Sequence, residues 1–306
     1  MIGGAGFIGR HLVDCLLKSG REVLVIGRTE AALVSLTREA LYLQGDIRNR
    51  EFLARALDGV DEVIDLAYSS VPKTSFENPL LDITDNLPGS VGLFGTASEL
   101  PIRKMIFVSS GGTVYGEPVK TPIPEDHPTN PISPYGITKL ALEKYAQMYH
   151  KIRGLPVVCV RPSNPYGEGQ KAFVGQGFVA TAMVSVLQGR EISIFGREGT
   201  IRDYIHVEDL ATGLLAALDF GKPGETYNIG SSQGKTNLEV IGEISRNAEK
   251  CGLHPVVVHA PPRSFDVSAN VLDTRKLFEL SGWRPQTTFE EGIRRTWDWY
   301  HKGANG

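Results

Sequence analysis

Gly3-Gly4-Ala5-Gly6-Phe7-Ile8-Gly9 is the stretch that decides the fold. Gly4, Gly6 and Gly9 satisfy G-x-G-x-x-G, while Gly3, Gly6 and Gly9 satisfy G-x-x-G-x-x-G. A turn of this kind passes a strand tightly into a helix. It leaves no Cβ between a pyrophosphate and the amides at the helix N-terminus. A glycine-rich turn alone needs no ligand, so its surroundings carry the argument. Residues 7–19 have a helical period, and Glu22-Val23-Leu24-Val25-Ile26 reads as a strand rich in β-branched residues. The runs 41–43, 62–67, 104–108 and 156–160 are similar. They are continuously apolar, as strands covered on both faces should be. Helical patterns at 30–39, 50–57, 80–100 and 135–153 lie between them. This alternation predicts an α/β protein with a doubly wound parallel Rossmann sheet and right-handed crossovers. Only Met1 and Ile2 precede the glycines. The first strand is central in such sheets, so the reading expects either a start assigned late or a truncated first strand.

Beyond Pro162 the pattern changes. Residues 177–187, 208–218, 238–251 and 289–301 read as helices, and 192–195, 201–207 and 226–229 as extended segments. The expected division is a dinucleotide-binding unit over 1–165, rejoined by about 201–230. A smaller mixed α/β substrate lobe takes 166–200 and 231–306. Long loops are expected at 68–78, 116–133 and 260–270, and long ordered loops in α/β domains are often functional.

The chain has 306 residues, enough for about two domains. Its 35 acids and 32 bases give a net charge of −3, which argues against a nucleic-acid binder. No apolar run approaches the roughly 18 residues of a membrane span. The first helical stretch carries Arg10, His11, Asp14 and Lys18, unlike a signal peptide. Three scattered cysteines, Cys15, Cys159 and Cys251, suit neither a disulfide framework nor a zinc site. The expectation is a cytoplasmic protein with no metal.

Two further stretches carry chemistry. After the strand at 22–26 come Gly27-Arg28-Thr29, with no acid to take ribose hydroxyls; on charge alone Arg28 leans towards NADP. Asp46 is placed to touch an adenine. Tyr135 and Lys139 form Y-x-x-x-K, and on a helix positions i and i+4 share a face. A neighbouring ammonium stabilises a phenolate and suits the tyrosine to acid/base work. The pair follows a strand whose end bears hydroxyls, Val108-Ser109-Ser110-Gly111-Gly112-Thr113-Val114-Tyr115-Gly116.

Together with Gly45-Asp46, Leu66-Ala67, Asn86, Arg161-Pro162-Ser163-Asn164-Pro165-Tyr166-Gly167 and Arg202-Asp203-Tyr204-Ile205-His206-Val207, these motifs resemble the extended short-chain dehydrogenase/reductases. Within them the chain is most similar to the NAD-dependent epimerase/dehydratase family, and there to the UDP-glucose 4-epimerases. The resemblance implies bound NAD, with NADP left open by Arg28, a nucleotide-sugar substrate and a homodimer. It makes Tyr135 the acid/base and Lys139 its tuning partner on the nicotinamide ribose. It sets Gly3, Gly6, Phe7, Ile8, Gly9, Asp46, Ile47, Leu66, Ala67, Tyr68, Ser69, Ser109 and Pro162 around the cofactor. Asn164, Arg202, Arg263 and Asp266 would bind the sugar nucleotide.

Three departures qualify this. The family's hydroxyl four residues before the tyrosine of Thr-Val-Tyr-Gly is Gly111 here, so Ser110 or Thr113 should serve; a persisting strand would favour Thr113. The Asp-Glu pair of related 4,6-dehydratases is replaced by Gly112 and Thr113. Asn270 stands where glucose-restricted enzymes commonly carry a Tyr, so tolerance of N-acetylated UDP-hexoses is expected. Two alternatives stay open at this stage. One is a reductase or dehydrogenase of the same fold, and the other a dinucleotide-binding protein without activity.

Overall fold

The computed structural model describes residues 1–29, 36–37, 39–262 and 267–304. Its large sheet begins with Ile2. This residue pairs in parallel with Ile26 on one side and Asp65 on the other. Ile2 N–H donates to the Ile64 carbonyl at 2.9 Å, and Ile2 O accepts from Leu66 N–H at 3.1 Å. One residue thus stands in the first-strand position and joins two half-sheets. On one side lie β1 (Leu24–Gly27) and β2 (Leu41–Gln44). On the other lie β3 (Glu62–Asp65), β4 (Lys104–Val108), β5 (Val157–Pro162) and β9 (Thr226–Ile229), all parallel. The central strands are apolar on both faces because helices cover both. α1 (Phe7–Lys18) and α7 (Val207–Phe220) pack one face, burying Leu12, Leu16, Leu210 and Leu214 against Val25, Ile106 and Val158. α2 (Arg50–Ala56), α4 (Pro79–Ala97) and α5 (Pro134–Arg153) pack the other, around Leu53, Phe94, Phe107 and Leu142.

α5 is bounded by its sequence. The Ser133 hydroxyl caps it by accepting from Gly136 N–H at 3.1 Å, and Pro134 takes the first position, where no N–H is needed. Gly154, at φ 72°, ends it in the left-handed conformation.

The smaller lobe is built on β8 (Ile201–His206), which pairs with β6 (Asn164–Tyr166), β10 (Gly234–Thr236) and β12 (Ala269–Asn270). β7 (Glu191–Phe195) pairs with β11 (Val256–Ala260). α6 (Phe178–Leu187), α8 (Asn237–Ala248) and α10 (Phe289–Ala304) enclose a separate core around Met183, Ile194, Ile244 and Trp297. Only α7 and β9 of the 201–230 segment return to the large sheet; residues 201–206 belong to the small one. α9 (Arg275–Ser281) returns as well, burying Leu277 in the first core. The helix expected over 30–39 falls almost entirely outside the described residues. The loop expected at 68–78 contains a short helix, α3 (Pro72–Glu77).

Candidate active site

A cleft of about 1270 Å³ runs between the lobes. Its floor is assembled from strand ends and helix starts, the usual place for a ligand in an open parallel sheet.

The glycine turn forms one wall. Gly9 packs where a Cβ would come within 2.5 Å of the carbonyl oxygens of Gly3 and Gly4, so no other residue allows α1 to lie this close. Gly6 N-caps α1 with no side-chain bond, and a Cβ there would meet only the Gly3 carbonyl, at 3.3 Å. The first amides of α1 therefore face an open cradle, with Gly3, Gly6, Phe7, Ile8 and Gly9 all lining the cleft. That cradle fits a dinucleotide pyrophosphate. The buried Ser109 hydroxyl, also on the cleft wall, has no protein partner and suits the same occupant.

β4 ends at Val108, and the chain then turns. Val114 N–H donates back to Ser110 O at 3.2 Å. Extension does not persist to Thr113, so the alternation that would have put Thr113 on the face of Gly111 fails. A Cβ on Gly111 would lie 2.5 Å from Leu272 Cδ1 and 3.0 Å from the Arg161 carbonyl. That position therefore points into packing. Ser109, Ser110 and Thr113 line the cleft, and Ser110 is hydrogen-bonded to Tyr135. Thr113 Oγ1 is buried with no partner.

Tyr135 and Lys139 project into the cleft from the first turns of α5. Burial holds the Tyr135 phenol well above its ordinary value, and the Asp82 charge adds to this; the Ser110 hydrogen bond works the other way. Lys139 is buried and donates to Val108 O at 2.8 Å. Burial lowers its pKa to about 8, opposed by the carboxylates of Asp65, Glu143 and Asp82. Asp65, at the end of β3, accepts from Ala67 N–H and the Ser90 hydroxyl, each at 3.0 Å.

The far wall comes from the small lobe. Asn164, Arg202, Tyr204, Phe195 and Val267 line it. Asn164 Nδ2 donates to Asp203 O at 3.3 Å, and Arg202 sits on β8 between Lys235 and Asn270. Of the other residues expected at the site, Leu66, Tyr68, Ser69 and Pro162 line the cleft. Ala67 contributes its backbone beneath Gly3, and Ile47 packs under Gly89. Asp46 is engaged by the guanidinium and backbone N–H of Arg48, and Arg28 is exposed at the end of β1. Neither lines the cleft. Asn270 does not line it either; it is fully buried and its amide donates to Gly111 O at 3.0 Å. Arg263 and Asp266 lie outside the described residues.

Sequence reasoning gave no role to the buried supports, although Arg161, Tyr115 and Asn86 stand in the motifs quoted above and only Glu143 and Asp82 went unmentioned. Arg161 forms a fork with Glu143 at 2.6 and 2.9 Å and donates to the Tyr115 hydroxyl at 2.9 Å, tying α5 to β5 behind the site. Asn86 accepts from Ser69 N–H at 2.7 Å and Asp82 accepts from Tyr68, fixing the loop after β3. The four-residue spacing of Asp82 and Asn86 on α4 was the available signal.

Residues 1–230 match the NAD dependent epimerase/dehydratase family. A putative UDP-glucose 4-epimerase of Methanocaldococcus jannaschii is 32% identical over 299 residues, covering 97% of this chain and 96% of that one. The crystal structure of a UDP-glucose 4-epimerase with UDP-glucose from Thermotoga maritima superposes with a TM-score of 0.92 at 34% identity, covering 99% and 98% of the two chains. A UDP-glucose 4-epimerase of Thermus thermophilus in complex with NAD gives 0.87, also at 34%, covering 98% and 97%. Cradle, cleft, tyrosine–lysine pair and near full-length similarity agree: the chain belongs to the NAD-dependent epimerase/dehydratase family of enzymes.

Proposed function

We propose that the protein is a UDP-hexose 4-epimerase that works through a 4-keto intermediate. The observation that carries this reading is the set Ser110, Tyr135 and Lys139 on the cleft floor, between the pyrophosphate cradle and the Arg202 wall. NAD, when bound, supplies a reversible hydride acceptor for the sugar C4. Tyr135 takes the proton of the 4-hydroxyl as C4 becomes a ketone, and returns it when C4 is reduced. Lys139, as ammonium, favours the phenolate that Tyr135 needs. Ser110 holds the sugar oxygen against Tyr135. Arg202 pairs with the diphosphate, and this remote binding energy retains the ketone while it turns to offer its other face. Gly112 and Thr113 stand in place of the elimination acids of related 4,6-dehydratases, which favours epimerisation over loss of water.

Asn270 gives no ground for admitting an N-acetyl group, because its amide is committed to Gly111 O and does not line the cleft. A homodimer is part of the proposal. α5 exposes Ile137, Tyr145, Met148 and Ile152 along one stripe, and α4 exposes Leu80 and Ile83. Light scattering at twice the chain mass is the expected result.

The testing experiment compares wild type with Tyr135→Phe on UDP-glucose and UDP-galactose, read by chromatography. The variant keeps its cofactor and loses at least about 100-fold in turnover. Full activity in Tyr135→Phe refutes the assignment. A net absorbance change at 340 nm with free cofactor points to a dehydrogenase or reductase instead.

A further inference from the structure

The loop after β3 carries an aromatic side chain with no task in the reaction above. Tyr68 lies against both proposed catalytic groups. Its ring centroid is 4.8 Å from that of Tyr135, with the rings at 69°. Lys139 Nζ sits 4.1 Å from the Tyr68 centroid, nearer than to Phe107 at 5.4 Å or Tyr135 at 5.9 Å. The Tyr68 hydroxyl donates to both carboxylate oxygens of Asp82 at 3.3 Å, and the Ser70 hydroxyl donates to the same carboxylate. Asp82 is itself buried on α4, so the ring is held from its far end. An ammonium has three N–H bonds; Val108 O takes one, and the π face of Tyr68 is offered to the ammonium as well.

We infer that Tyr68 is a positioning residue for the Tyr135–Lys139 pair: its face holds the Lys139 ammonium, its edge sets the Tyr135 ring, and Asp82 anchors it. The inference rests on Tyr135 and Lys139 being the acid/base pair proposed above. The charged and titratable groups that act on Lys139 are Asp65 at the end of β3, Asp82 on α4, Glu143 on α5 and the two phenols; Phe107 approaches from β4. The carboxylates favour the ammonium by charge and burial disfavours it. The aromatic face adds an attraction for the ammonium that an aliphatic side chain of similar volume lacks.

The test uses the enzyme with its cofactor as purified, labelled with 13C at lysine Cε. The Lys139 resonance is assigned by its loss in Lys139→Met. Tyr68→Leu lowers the titration midpoint of Lys139 by about one pH unit, whereas Tyr68→Phe, which keeps the ring, stays within about 0.3 unit of wild type. In steady state Tyr68→Leu lowers kcat about tenfold with KM within about twofold, and Tyr68→Phe recovers an intermediate kcat. The alkaline limb of kcat moves down with the midpoint, because the ammonium is lost at lower pH. A midpoint unchanged or raised in Tyr68→Leu, or lowered equally in Tyr68→Phe, overturns the inference. If Tyr68→Leu does not fold, Tyr68→Met takes its place under the same criteria. A wild-type enzyme that fails to interconvert UDP-hexoses refutes the proposed function, while the titration still decides the role of Tyr68.

Discussion

A hydroxyl four residues before Tyr115 is what the family resemblance leads one to expect, and Gly111 stands there without one. The structure removes the puzzle: a side chain at 111 would be driven into Leu272 and the Arg161 carbonyl, away from the cleft. Gly111→Ser therefore overpacks this point, lowering stability by about 1–3 kcal/mol in thermal melts without raising turnover. Ser110→Ala lowers kcat about 100-fold, the usual loss for one donor to a reacting oxygen, and Thr113→Val costs less. A Gly111→Ser protein of normal stability and higher turnover contradicts this assignment. That Tyr135 and Lys139 share a face could be read from sequence because helical spacing brings i and i+4 together, while their roles needed the glycine turn, the hydroxyl-bearing strand end and the family resemblance beside them. The choice between Ser110 and Thr113 could not. It hangs on β4 ending at Val108, and nothing in Ser109-Ser110-Gly111-Gly112 fixes where a strand gives way to a turn.

α1, the strand β8 and α10 meet at one residue, Glu168. Glu168 accepts from His206 at 3.0 Å and from Arg295 at 3.2 Å, and its backbone carbonyl is bonded to His11 at 3.0 Å. Arg10 donates to the neighbouring Gly169 O at 3.0 Å. The helix that begins at the glycine turn is thereby fastened to the smaller lobe. Burial works to raise the Glu168 pKa, but His206 and Arg295 overcome it and bring it to about 2. A carboxyl depressed in the folded state contributes stability that is fully present above its unfolded value of about 4.5 and is lost as pH falls towards 2. Glu168→Gln is accordingly less stable than wild type at pH 7, by at most about 3 kcal/mol, and the gap narrows at pH 3. Urea unfolding at both pH values checks this, and a gap that does not change with pH contradicts it. The extended character of 201–207 was readable from its residues, but its sheet was not. Its partners β6, β10 and β12 lie tens of residues away, and pairing at that separation leaves no local periodicity. The helix α3 was hidden for the opposite reason: six residues are too few to show a period.

Across the whole molecule, a parallel sheet whose first-strand position is held by Ile2 carries the cradle, the tyrosine–lysine pair and the hydroxyl turn to one edge, and the small lobe closes them in. Alternating apolar runs and helical periods announced the large sheet because both its faces are covered. The second lobe was visible only as a change of pattern, since its core draws on segments from 166 to 300. The central claim is that the hydrogen on the sugar C4 leaves and returns within one closed cleft. UDP-glucose carrying deuterium at C4, incubated with the enzyme in ordinary water and followed by NMR, measures this directly. The account predicts UDP-galactose that retains deuterium at C4, with no lasting absorbance change at 340 nm. Loss of the deuterium to solvent, or accumulation of a 4-keto product, would contradict it.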